Sequence, residues 1–297
     1  MTKYNRAILC AILAAGLYAL NSPASKALLQ KVGPTMMAAL LYLGAGFGML
    51  ILGFARKGLG KKNDEQHLTK RELPYTAGMV ALDIAAPIFL MAGLNMTSAA
   101  NASLLNNFEI VATSLIALLV FKEKISPRLW AAIGFVTVSS MILSVEDASS
   151  FSFSVGSVFV LLACVCWGFE NNCTRMLSTK DPLEIVLIKG LGSGLGSLVI
   201  ALALREEAAG ILYVILALLL GFVAYGLSIF CYVYAQRELG AAKTSTYYAV
   251  SPFISVTLSL LIFRETPSGP FIIALLIMIA GVYLAAKDQN AQDESEK

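Results

Sequence analysis

Charge is scarce in this chain. Only 14% of its 297 residues are Asp, Glu, Lys or Arg, against about a quarter in a soluble domain. Histidine is scarcer still: His67 is the only one. The five cysteines, Cys10, Cys164, Cys166, Cys173 and Cys231, form no CxxC pair and all fall in apolar stretches. A metal site or a disulfide framework is therefore not expected, and the thiols read as small apolar packing residues. The sequence has no HExxH, no serine in a GxSxG setting and no P-loop. An enzyme, a bound cofactor and direct use of ATP all lack their usual signatures. No basic helix with interleaved aromatics points to nucleic acid. The basic run Arg56, Lys57, Lys61, Lys62, Lys70 and Arg71 reads as a loop on the cytoplasmic side.

Apolar residues, by contrast, make up 58% of the chain, and they come in long blocks. A bilayer core takes about 20 apolar residues per helix. Ten blocks qualify: 6–29, 34–55, 73–95, 98–121, 127–145, 154–178, 182–204, 210–236, 241–263 and 268–286. Backbone in lipid must satisfy its own hydrogen bonds. A barrel would show ten-residue alternating strands instead. The expected fold is an all-α integral membrane protein with ten transmembrane helices. Gly33-Pro34, Ser126-Pro127 and Asp181-Pro182 mark sharp boundaries, since proline is tolerated at a helix start. The first block follows Lys3 and Arg6 but ends in Asn21-Ser22-Pro23, with no good cleavage site. It reads as a retained first helix.

Positive charge sets the orientation. With the N-terminus inside, 17 Lys and Arg fall on the cytoplasmic side. Four (Lys26, Lys31, Arg205 and Arg264) fall outside, and Lys189 lies within a span. An odd number of helices spoils that split. Both termini are thus expected to be cytoplasmic, on a multi-pass protein of the cell membrane. The tail 288–297 is polar and expected to be disordered.

The two halves of the sequence resemble each other. LGAGFGML, with Gly44, Gly46 and Gly48, returns 148 residues later as LGSGLGSL, with Gly192, Gly194 and Gly196. Tyr18-Ala19 matches Trp167-Gly168 at an offset of 149. Phe121-Lys122-Glu123 matches Phe263-Arg264-Glu265 at 142, as Ala99-Ala100 matches Ala241-Ala242. The expected units are 1–148 and 149–287. Each holds five helices, an odd number, so the second enters the membrane upside down. Inverted repeats of this kind are common in secondary transporters, with substrate near the midplane between them. The spaced glycines also give smooth faces for close helix packing.

With these features the chain resembles the drug/metabolite transporter superfamily, in its ten-helix EamA-type branch. The aromatic–small pairs Tyr18-Ala19 and Trp167-Gly168, the Gly33-Pro34 and Asp181-Pro182 junctions, and the helix ends FKEKIS (121–126) and FRETPS (263–268) carry the likeness. The resemblance implies two inverted five-helix repeats around a central cavity. Helices 1, 3, 4, 6, 8 and 9 would line it, with 5 and 10 outside. It also implies a small-molecule substrate, with amino acids, organic cations and nucleotide sugars all represented, and one chain as a working unit: a monomer or weak dimer in the lipid bilayer. Fold fixes the class and not the substrate. One departure is notable: helix nine has Ser251-Pro252 where helix four has Glu109-Ile110.

Ionisable groups at membrane depth are costly and usually face protein or water. Asp83, Glu109, Glu170 and Lys189 stand at such depth. Asn106 and Thr113 flank Glu109 at helical spacing. The stripe suits a cation or proton site, or else an ion pair with Lys189 that ties helices together. Glu170, with Trp167 three positions earlier and Asn171 beside it, could cradle an organic cation; the alternative is an interfacial Trp and a Glu reaching water. Asp83 precedes Pro87, which removes a hydrogen-bond donor and kinks helices. Lys189 could bind a substrate carboxylate or neutralise a glutamate. Asn21, Tyr225, Tyr247, Tyr248 and Ser251 complete the expected substrate site, and Glu109 and Glu170 are the expected coupling groups. Three acidic groups against one basic group tilt the site toward a cation. The reading is a secondary transporter of a small polar metabolite or organic cation, amino-acid-like or amine-like, working by alternating access and open to proton coupling. A channel or lipid scramblase of the same fold is the alternative.

Overall fold

The structure is a computed structural model that describes residues 3–58, 66–122, 125–147, 152–177, 180–206, 210–239, 244 and 247–295. Nine helices among these are long and apolar enough to cross a membrane, and a tenth, Ser251–Phe263, is shorter. We number the spans in chain order. They are α1 (Lys3–Leu28), α2 (Pro34–Gly58), α3 (Leu73–Met96), α4 (Ala99–Leu105 and Phe108–Phe121), α5 (Pro127–Ser144) and α6 (Val155–Met176). Then come α7 (Pro182–Ala203), α8 (Ile211–Leu239), α9 (Ser251–Phe263) and α10 (Gly269–Ser295). A two-stranded antiparallel pair, β1 (Val145–Asp147) and β2 (Ser152–Phe153), joins the halves.

The proline boundaries hold for local reasons. Ser126 accepts from Leu129 N–H at 3.1 Å and Asp181 accepts from Leu183 N–H at 2.9 Å, each with proline as the next residue. A side-chain cap satisfies one of the free N–H groups, and proline removes another. Ser98 caps α4 through Asn101 N–H in the same way. Not every span is regular. α1 is interrupted at Leu20 and α4 at Asn106-Asn107, while α7 and α8 carry π-helical segments at Lys189–Ser193 and Phe222–Leu227. Such π segments concentrate at functional sites. The tail departs from expectation. α10 continues as helix to Ser295, consistent with the Ala, Lys and Gln of 285–292, which are good helix formers in water.

Packing follows the repeat. α3 lies along α6, and α8 along α1. α2 packs on α7, α4 on α9, and α5 on α10. Exchanging the halves maps this set of pairs onto itself, which is pseudo-twofold symmetry. α5 and α10 pack mainly on each other at the periphery. α2 is the most deeply buried span. Its seam with α7 is glycine against glycine: a Cβ on Gly190 would lie 2.5 Å from Gly46 N, and one on Gly194 would lie 2.7 Å from Leu43 N. On the outside, Leu119 and Leu261, and Ile51 and Val199, are large exposed apolar residues at repeat-related positions. They mark the surface that lipid covers.

Candidate functional site

Lys189 opens the π segment of α7, and its ammonium stands between two buried carboxylates. Nζ is 2.9 Å from Glu170 Oε1 on α6 and 3.3 Å from Asp83 Oδ2 on α3. Asp83 is 0% exposed and Glu170 1%. The Thr174 hydroxyl, one turn on, also donates to Glu170 Oε1. Tyr42 on α2 donates to Asp83 Oδ1 at 3.0 Å. Asp83 Oδ2 makes no hydrogen bond: it faces Lys189 but lies off the line of one. A buried charge persists only when paired, and here one ammonium serves two carboxylates.

Glu109 is held differently. It occupies the first turn of the second segment of α4, where the Glu109 and Ile110 N–H groups bond the Asn106 and Asn107 carbonyls at 3.1 and 3.0 Å. Asn171 donates to Glu109 Oε1 at 2.6 Å and to the Thr113 hydroxyl at 3.3 Å. Among the described residues no cationic side chain lies within ion-pair distance of Glu109. Lys189 and Glu170 act on it only at longer range. The ion pair with Lys189 that the sequence allowed is therefore not the one formed. Asn106 sits at the break in α4, its Oδ1 buried without a hydrogen-bond partner.

A tyrosine cluster closes over this layer. Tyr18 contacts Tyr225 and Tyr248, each at 5.8 Å between ring centres. Tyr42 contacts Tyr225 at 5.2 Å, and Tyr232 contacts Tyr248 at 5.1 Å. Glu109 is within electrostatic range of Tyr18, Tyr225 and Tyr248. Asn21 on α1 donates to the Tyr225 hydroxyl at 3.1 Å and accepts from Ser25 at 3.1 Å.

Of the residues expected from sequence, Asn21, Asp83, Glu109, Glu170, Asn171, Lys189, Tyr225 and Tyr248 meet in this cluster. Trp167 is buried beside Tyr42. Glu170 does not reach water. Tyr247 packs instead with Ala7, Ala11, Ala235 and Leu239, away from the cluster. Ser251 is spent on structure, donating to the Ala15 carbonyl at 2.8 Å. Tyr42 and Thr174 were not singled out from sequence, and Tyr18 only as a mark of the repeat, not as a site residue. Thr174 carried a signal, since it lies one turn after Glu170 on the same face. Tyr42 looked like one apolar residue among many.

The two ends of the bundle differ. At the end where α1 finishes, Lys26 Nζ binds the Leu94 and Asn95 carbonyls at 2.6 and 3.1 Å. Glu206 accepts from the Thr35 and Met36 N–H groups at 3.2 and 2.7 Å, capping α2. At the other end Glu184 accepts from Leu68 N–H and meets His67, both at 3.1 Å. His67 meets Glu184 while most of its ring stays exposed. Lys180 meets Glu72 at 3.5 Å. The Thr69 hydroxyl and N–H hold the Glu72 carboxyl down to about 2. A narrow cleft of about 10 Å³, lined by Tyr42, Val186, Tyr225 and Ile229, reaches Lys189.

The model of the EamA-like transporter family matches residues 5–145 and again 154–287. The chain belongs to the EamA-like transporter family. Relatives of this EamA-like transporter span nearly its whole length. An uncharacterized transporter of Methanothermobacter thermautotrophicus is 25% identical over 90% of this chain and 82% of its own. An uncharacterized transporter of Clostridium kluyveri is 24% identical over 96% and 94%, and the uncharacterized transporter YyaM of Bacillus subtilis is 22% identical over 85% and 84%. A crystal structure of a protein 17% identical superposes with a TM-score of 0.67 over 94% of this chain and 95% of that one. That likeness concerns the fold alone.

Proposed function

We propose that this EamA-like transporter is a secondary carrier of a small organic cation or amine-bearing metabolite, bound between the two halves at Glu109 and moved by alternating access. The observation that carries the reading is the state of Glu109: a carboxylate among tyrosines with no cation against it. An ammonium there gains a charge-assisted hydrogen bond and the faces of Tyr18, Tyr225 and Tyr248. Asp83 and Glu170, by contrast, already share Lys189. The halves 1–148 and 149–287 are the moving units, inverted in the membrane, with both termini cytoplasmic and a single chain sufficient. Proton exchange at the buried carboxylates supplies the coupling.

The test is thermal stabilisation of the purified protein against polyamines, quaternary ammoniums, amino acids, nucleosides and sugars. A ligand that binds only the folded state raises the melting temperature by mass action. A cation should stabilise the native chain and not Glu109→Gln, and the same cation should show saturable counterflow in vesicles. Stabilisation by neutral solutes only, or an unaltered cation response in Glu109→Gln, would overturn the assignment. Flux without saturation or counterflow would favour a channel.

A further inference from the structure

We propose that Asp83 is the proton-carrying carboxyl of this transporter, bearing its proton on Oδ2 at neutral pH and releasing it toward Lys189. The proposal rests on the reading of the cluster as the transport site but is tested independently of it. Three observations point the same way.

The first is the charge count. Among the described residues, Lys189 is the only ammonium against two side chains that are 0% and 1% exposed. With both ionised, one negative charge stays buried without a partner, an arrangement proteins avoid by protonating the group.

The second is the division of hydrogen bonds. Glu170 is furnished as an anion: its Oε1 receives the Lys189 ammonium at 2.9 Å and the Thr174 hydroxyl. Asp83 is furnished as an acid. Its Oδ1 accepts from Tyr42 as a carbonyl oxygen does, and its Oδ2 has only the Lys189 ammonium at 3.3 Å, without hydrogen-bond geometry. With one ammonium to share, the negative charge belongs on the carboxyl with more and closer donors, Glu170, and the proton on the one with fewer, Asp83.

The third is access. The cleft between Tyr42, Val186, Tyr225 and Ile229 reaches Lys189, whose side chain is 16% exposed. Water there can take the proton.

Among the described residues, the titratable groups facing Asp83 are Tyr42 on α2, Glu170 on α6, Lys189 on α7, and Tyr225 on α8 in ring contact with Tyr42. Lys26 is occupied far along α3, on Leu94 and Asn95. The step is a plain transfer. The O–H bond at Oδ2 breaks, the proton passes to water in the cleft, and the new carboxylate competes with Glu170 for Lys189. Lys189 begins a π segment, a backbone form that absorbs local shifts.

Infrared spectroscopy of the purified protein reads the proton directly and needs no substrate. A protonated carboxyl gives a carbonyl stretch that a carboxylate lacks. The other aspartates, Asp64, Asp147, Asp181, Asp288 and Asp293, lie at or beyond the ends of the spans. At neutral pH the native chain should show one such band that shifts when aspartate is carbon-13 labelled at its side-chain carboxyl. The band should ignore the same label on glutamate and vanish in Asp83→Asn. A band that follows labelled glutamate, or no band at all, overturns the proposal. The labelled native chain decides the matter even if Asp83→Asn fails to fold. A failed cation response at Glu109 would leave this spectrum unchanged, so the two readings fail separately.

Discussion

Lys122 and Arg264, 142 residues apart, leave α4 and α9 with nearly the same backbone: φ 56°, ψ 31° and φ 53°, ψ 34°. Both are left-handed, a conformation that costs a residue with a side chain about 1–2 kcal/mol relative to the right-handed one. Repetition of an unfavourable turn at matching positions ties the halves together more firmly than shared apolar residues do. Glycine pays no such steric cost. Lys122→Gly and Arg264→Gly should therefore each raise stability by about 1 kcal/mol, read as a shift in denaturant or thermal midpoint in detergent. Destabilisation by both would mean that these cations anchor the helix ends more strongly than the turn strains them.

Lys189→Met leaves the Glu170 carboxylate in the protein interior without its cation and Asp83 without its charged neighbour. Removing one member of a buried ion pair costs about 3–5 kcal/mol. The loss should be largely restored by adding Asp83→Asn and Glu170→Gln, because the triple variant buries no charge there. A Lys189→Met protein as stable as the native chain would show that these carboxyl groups do not depend on the ammonium.

The glycine seam gives a matched pair of substitutions. A methyl on Gly190 would meet the backbone of Gly46 and Tyr42, whereas one on Gly134 in α5 would meet nothing within 4 Å. Gly190→Ala should cost about 1–3 kcal/mol through overpacking. Gly134→Ala should gain up to about 1 kcal/mol from helix propensity. Melting curves of the two variants side by side check the sign of each.

Orientation is open to accessibility labelling. A tag placed after residue 148 should be reachable from outside intact cells, and one after residue 62 only after the membrane is opened. Both tags on one side would overturn the inverted arrangement.

Much of this architecture was legible because lipid imposes a coarse rule. Ten apolar blocks, bounded at Pro34, Pro127 and Pro182, gave spans whose edges match the first eight helices closely, while α9 begins only at Ser251 and α10 runs on to Ser295. The buried charges were legible for the same reason, since Asp83, Glu109, Glu170 and Lys189 stand out against their surroundings. Their partners were not. Which carboxylate meets Lys189 depends on the rotation and depth of four helices, and a one-dimensional pattern does not hold those quantities. Tyr42 illustrates the limit: nothing in the run around it separates a tyrosine that bonds Asp83 from one that faces lipid. Tyr247 illustrates the converse, as its neighbour Tyr248 takes the place in the cluster while Tyr247 turns to α1 and α8.

The contact between α2 and α7 has a mechanical meaning. Where Gly46 and Gly190 meet, backbone lies against backbone, with the Leu43 and Leu191 side chains flanking the contact. Two rods that touch backbone to backbone at such a point have a pivot there, with few side chains to lift as one turns on the other. Resistance to reorientation then sits at the rims, in ties such as Lys26 on Leu94 and Glu184 on Leu68. The axle is smooth, and the latches are at the doors.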